Sequence, residues 1–215
     1  MRGSSKGAPP DTFVEWLALG QDNEDWTPTY PALSGSEKQD LRSSLLREQT
    51  GQCLYCGRKL NLSDPLKAHI EHFRPQSTYP ILSLEYSNLF MSCGPRDDEG
   101  NTLEVCGNKK GNWFDERCHV SPFPEASCVS LFFYPSTGEV TAEAENAKKM
   151  IEVLNLNDSE LVRERKDLIR GLDEELALVP VDILLDNWKR TDQTSSRKSF
   201  SNVAIGYLES QPQTN

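Results

Sequence analysis

"AHIEHFRPQSTYP", residues 68–80, carries the reading of the whole chain. Two of the three histidines, His69 and His72, stand three apart around Glu71, and Phe73, Arg74 and Pro75 follow at once. On a strand His69 and Glu71, two apart, share a face. Such a cluster is either a metal-dependent active site or an ordinary buried strand edge. The residues on either side decide between the two.

Upstream, "CLYCG" sets Cys53 and Cys56 in a C-x2-C turn that Gly57 relieves, and downstream Cys93 and Cys106 stand twelve residues apart. A two-residue gap lets both sulfurs of a pair face one ion, and four thiolates in two pairs match a tetrahedral, all-cysteine zinc site. A closed site of this kind is structural, because no position is open to substrate. The plainer alternative is four reduced, buried thiols acting as small apolar side chains. Cys118 and Cys128 lack such partners and read as structural, as does His119. The H-x-E at 69–71 beside a C-x-x-C also has the ingredients of a zinc nucleobase deaminase. In those enzymes the C-x-x-C comes after the H-x-E and behind a proline. Here it comes first, after Gln52, and Cys93 and Cys106 would be idle.

The chain has 215 residues, 36% of them apolar, enough for one domain with a real core. Mean hydropathy is −0.60, and no stretch approaches the ~20 apolar residues of a membrane span. Glu15 interrupts "FVEWLAL", so the start does not read as a signal peptide. A cytoplasmic location follows as the expectation, with thiols kept reduced and available to a metal. The formal charge of −10 argues against unaided binding along nucleic acid, which normally leaves a basic footprint.

Residues 1–51 read as an N-terminal helical segment. In it "DTFVEWLAL" is capped by Asp11, and a longer helix follows Ser34 or Ser36, has a Leu41, Leu45, Leu46 stripe and stops at Gly51. Residues 52–124 form a turn-rich centre with all three histidines and five of the six cysteines. Residues 125–215 hold "CVSLFFYPSTGEVT" at 128–141, read as a hairpin, and continue as helices packed on the centre. Ala147, Met150, Ile151 and Leu154 line the first of these helices. Leu161, Leu168, Leu172 and Leu176 line the second, and a partly helical tail is broken by a polar stretch at 191–198.

The order C-x2-C, "IEHFRP", "YSNLF", Cys93, "CGNKKG" resembles an HNH endonuclease of the zinc-stapled, ββα-metal (His-Me finger) type. Within that group it is similar to the PtuB-like effector subunits of Septu and retron anti-phage defence systems. The N-terminal "MRGSSKGAPPDTFVEW" and the later "IEVLNLN" extend the likeness more loosely. The resemblance implies an α+β fold in which an HNH core with a four-cysteine zinc site is surrounded by helices. It implies hydrolysis of phosphodiester bonds in DNA or RNA, tRNA included. His72 would be the general base, a role its ordinary pKa of ~6.5 suits. Glu71 would ligate a Mg²⁺ or Mn²⁺ ion, since hard cations select carboxylate oxygens. Asn88 would hold the loop behind His72. Asn108, separated from Cys106 by Gly107, would be the other ligand, and His69 a further ligand or orienting partner. Arg74, Lys109 and Lys110 would meet phosphate, Arg74 alternatively pairing with an acid.

Cys53 to Gly111 holds seven Lys/Arg and seven Asp/Glu, so the implied active region is not basic. A partner that supplies nucleic-acid binding is expected. The resemblance implies an ABC/SMC-like ATPase (PtuA-like), and in retrons a reverse transcriptase with its msDNA. The N-terminal segment and the helices after Ala142 offer apolar stripes for docking. The rival class is a non-catalytic, zinc-stapled adaptor or nucleic-acid-binding module. It explains the cysteines equally well and gives no reason for Glu71, His72, Asn88 and Asn108 to stand in nuclease order.

Overall fold

The computed structural model describes residues 1–212 apart from 21–24, 65 and 97–99. It is a mixed α+β architecture whose regular sheet is a single antiparallel pair, β1 (Ala68–His72) and β2 (Leu89–Cys93). The register runs from Ala68 opposite Cys93 to His72 opposite Leu89. β2, "LFMSC", is buried at every position, as a short unbroken apolar run predicts. Helix α2 (Gly35–Glu48), through Leu41 and Leu45, and the short α3 (Cys106–Lys110) both pack against it. The outer edge of β2 is closed by a side chain rather than a strand. The Gln49 amide accepts from Met91 N at 2.7 Å and donates to Met91 O at 2.8 Å. Leu54 N donates to the same carbonyl at 3.0 Å.

Helix α1 (Asp11–Ala18) precedes α2 and packs on it. Asp11 is its first residue, behind Pro10, rather than its cap. Residues 1–4 are irregular yet interior: Arg2 N and Gly3 N donate to Tyr55 O and Leu54 O, and Arg2 is fully buried. Its guanidinium reaches Gln52, Thr50 and the Gly3 carbonyl and lies 3.5 Å from Glu125.

Two expectations for the C-terminal part need correcting. The stretch 128–141 is not a two-stranded hairpin. Cys128 and Val129 end helix α4 (Glu125–Val129), and the two arms meet only where Phe133 bridges Thr141. Pairing stops there because Pro135, at the next hydrogen-bonded position, has no N–H, while the Val140 N–H and carbonyl face the other way and bond Asn157. In helix α6 (Ser159–Leu176) the buried face is Leu161, Arg165, Ile169 and Leu172, with Leu168 and Leu176 only flanking. Arg165 tolerates burial because it donates to Gly138 O and Leu156 O, each at 2.7 Å, and to Asn157 Oδ1.

The main core gathers residues from all three stretches, Leu41, Leu89 and Leu154 among them. Helix α5 (Glu145–Val153) contributes Ala147 and Met150. A satellite core of Leu172, Leu184, Trp188, Ala204 and Leu208 joins α6 to α7 (Val181–Lys189) and α8 (Ser201–Glu209). Among the described residues no helix is long and apolar enough to cross a membrane.

Candidate functional site

The sulfur atoms of Cys53, Cys56, Cys93 and Cys106 lie within 4.8 Å of one another, all in buried residues, and Cys56 and Cys93 are 3.5 Å apart. Local geometry explains the convergence. Cys53 N donates to Arg58 O and Gly57 N to Cys53 O, closing a knuckle whose Gly57 takes φ +86°. Cys93 ends β2. Cys106 starts α3 in the left-handed region, φ +57°, with its N–H on Leu154 O at the end of α5. All six cysteines are free thiols. Four thiolates around a zinc ion at ~2.3 Å would stand about 3.8 Å apart, a spacing close to the one seen. Burial pushes the Cys106 thiol well up, so the four ionise together only with a cation to share. The group could hold zinc. Cys118 and Cys128 lie outside it.

Next to the sulfurs is a buried ionic group. Glu71 Oε1 accepts from the Tyr55 hydroxyl at 2.9 Å and from Lys110 Nζ at 2.8 Å; its Oε2 lies 3.4 Å from His69 Nε2. Burial alone would raise the carboxyl, but the His69 hydrogen bond and the Lys110 ammonium outweigh it and hold Glu71 below its ordinary value. Tyr55, pushed far up by burial and by Glu71, stays a donor. Gly107 faces this group across α3. A Cβ there would collide with Glu71 Oε2 and come within 3.0 Å of His69 Nε2. The absence of a side chain at Gly107 lets α3 pack directly against the ionised Glu71 carboxylate and the His69 imidazole.

His72 ends β1 next to Glu71, close enough for the Glu71, Lys110 and His69 charges to act on its ring. Its Nε2 lies 3.0 Å from Ser83 O, and Tyr30 meets the ring edge-on at 4.5 Å. The carbonyl can only accept, so Nε2 carries the proton and Nδ1 the lone pair. Burial lowers the ring below its ordinary pKa, against the opposing Ser83 contact, so it is neutral at pH 7. Asn88 ties the 73–88 loop: Oδ1 accepts from Arg74 N, and Nδ2 donates to Arg74 O and Leu82 O.

The other expected residues lie elsewhere. Asn108 is turned away from Glu71, its amide donating to Gly94 O at 2.7 Å. The α3 position that faces the carboxylate is Gly107. Lys110 is buried on Glu71 and also donates to His72 O at 3.1 Å, so it is not available to a phosphate. Arg74 pairs with Glu116 at 3.2 Å and stacks over Phe114 and Tyr79. Lys109 lies 3.8 Å from Glu104. Sequence reading missed Tyr55, Gly107 and the buried role of Lys110. The one available signal was the i, i+3 spacing of Gly107 and Lys110, which puts them on one helical face.

The chain is similar to the Septu protein PtuB of Bacillus thuringiensis. The two are 26% identical over 123 residues, 56% of this chain and 42% of that protein, so the likeness spans somewhat under half of its relative's length. Compared with models of known protein families, the chain matches none. The likeness to PtuB supports a Septu-like relationship for this four-cysteine, two-stranded protein.

Proposed function

We propose that the chain is a metal-dependent nuclease of the HNH type, the effector of a Septu-like anti-phage system. One observation carries the reading. Glu71 and His72 end β1, Asn88 stands immediately before β2 and ties the 73–88 loop, and α3 lies against the Glu71 carboxylate, with Gly107 in place of the expected Asn108, so the chain order of the motif the sequence resembles is kept up to that position. The similarity to PtuB supports the defence context.

In this reading β1, β2 and α3 are the ββα core, and a structural zinc ion on the four cysteines fixes their relative positions. The reaction is phosphodiester hydrolysis: a water oxygen bonds to phosphorus, the bond to the leaving sugar oxygen breaks, and a phosphomonoester and a hydroxyl result. His72 takes the water's proton on Nδ1, with Ser83 and Asn88 fixing ring and loop. Glu71, kept ionised by Lys110 and oriented by Tyr55, is the carboxylate for the divalent ion. When bound, that ion supplies charge stabilisation at the phosphate and the leaving oxygen.

Lys110 is buried on Glu71, and Arg74 and Lys109 each lie beside an exposed acid, so the site carries little net positive charge for substrate. An ATPase partner of the PtuA kind supplies nucleic-acid binding and control, and the exposed Val14 of α1 with Leu19 just beyond its end offers it an apolar contact. The test is incubation of the chain with that partner, Mg²⁺ or Mn²⁺, and plasmid DNA or tRNA, alongside His72→Ala. Cleavage by the wild type alone is expected. Equal cleavage by both, or by neither in any combination, sinks the proposal and leaves a non-catalytic binding module.

A further inference from the structure

Arg74, Lys109 and Lys110 each lie beside an acid, but α2 carries two other cations to the neighbourhood of His72. Tyr30 opens a single 3₁₀ turn, Tyr30–Ala32, and its half-buried ring meets the His72 imidazole edge-on at 4.5 Å. Lys38 Nζ stands 5.2 Å over the same ring, so one aromatic ring separates ammonium from imidazole. One turn further along α2, on the same helical face, Arg42 Nη2 donates to Ala68 O at 3.0 Å. From Lys38 to Arg42 the helix thus follows β1 from its His72 end to its Ala68 end. All three residues keep a donor in reserve. The Tyr30 hydroxyl makes no hydrogen bond among the described residues, and burial pushes it up to about 12, so it stays protonated. Arg42 Nε is buried without a partner, and neither Arg42 nor Lys38 is ion-paired among the described residues. The Arg42 charge reaches the phenol, and so does that of Glu71, which Lys110 offsets. A buried donor without an acceptor is costly. An anion rich in oxygen would satisfy it.

We propose that Tyr30, Lys38 and Arg42 are the face that aligns a nucleic-acid strand beside His72, through its sugar-phosphate backbone and not its bases. The inference rests on the nuclease reading for the purpose of the contact, but not for the contact itself. Phosphate contacts fix register and orientation without reading sequence. Two cations are too few to hold a duplex unaided at physiological salt. Capture then falls to the partner, and alignment to this face.

The test is fluorescence anisotropy of a labelled DNA duplex and a labelled RNA strand with the full chain, at low salt. Zinc is retained and Mg²⁺ and Mn²⁺ are left out, so that nothing is cut. Lys38→Gln and Arg42→Gln should each weaken binding about tenfold on every sequence tried, and lower the salt slope by about one. Tyr30→Phe, which keeps the ring on His72, should weaken it severalfold and leave the slope unchanged. Arg190→Gln, which removes an exposed cation at the end of α7, controls for charge alone and should change little. Circular dichroism melts verify folding; should Arg42→Gln fail to fold, Lys38→Gln and Tyr30→Phe still decide. No binding by the unaltered chain, or equal losses in Lys38→Gln and Arg190→Gln, overturns the assignment. Cleavage with the partner in Mg²⁺ or Mn²⁺ separates the two ideas. Binding through this face in a chain that cuts nothing upholds the face and removes the nuclease. Cutting that none of the three substitutions slows does the reverse.

Discussion

Two regions of this molecule are held together by different physics. The centre, around β1, β2 and α3, has ten strand residues and a five-residue helix. It depends on directed contacts: four sulfurs, the Glu71–Lys110 pair, and the Gln49 amide on Met91. The corner of α6, α7 and α8 depends mainly on Leu172, Leu184, Trp188, Ala204 and Leu208 packed on one another, with Lys198 over the Trp188 ring and Tyr207 on Asp173 at its rim. Directed contacts fix atoms to the tolerance chemistry needs but fail all at once when one partner goes. Apolar packing is tolerant and fails by degrees.

The sharpest break of that contrast is Cys53→Ser or Cys106→Ser. Each should lose about one zinc per chain by metal analysis and, since structural zinc contributes ~10–16 kcal/mol in small domains, the cooperative melt as well. A variant that melts like wild type would refute the metal's structural role. Lys110→Met comes next. Stripping the partner from a buried carboxylate costs about 3–5 kcal/mol, readable in urea unfolding, whereas Lys110→Met with Glu71→Gln should recover part of it. In the corner, Leu184→Ala should cost about 2–5 kcal/mol and leave zinc content untouched; coupled zinc loss would mean that the regions are not separate. The smallest effect is on pH. The folded state holds His72 below its unfolded pKa, so folding stability falls as pH drops from ~6.5 toward the folded value and is flat above. His72→Phe should remove that slope. The acid limb of any cleavage profile should lie below pH 6.5 for the same reason.

The two regions also differ in what their sequence disclosed. The four cysteines come together as their pairing suggests, even though twelve residues separate Cys93 from Cys106, because a shared ligand chemistry is visible in residue type alone. The β1–β2 pair could be anticipated from the alternation around Glu71 and the apolar "LFMSC" run. The facing residue of α3 was hidden. Cys106 enters the helix from φ +57°, and that backbone choice turns Gly107, not Asn108, toward the carboxylate. Lys110 looked like a phosphate contact because lysines are usually solvated; only the fold reveals a buried acid beside it. The α6 face shifted for a related reason. Periodicity counts apolar residues, whereas Arg165 is interior on the strength of three oxygen acceptors.

Gln49 has a further consequence. A two-stranded ribbon ordinarily exposes an unpaired row of backbone groups that can template another chain. With the Gln49 amide on Met91, Lys6 on the Leu89 carbonyl and Asn108 on the Cys93 carbonyl, the outward row of β2 is occupied along its length, which withdraws it as a template for strand exchange or fibrillar self-association.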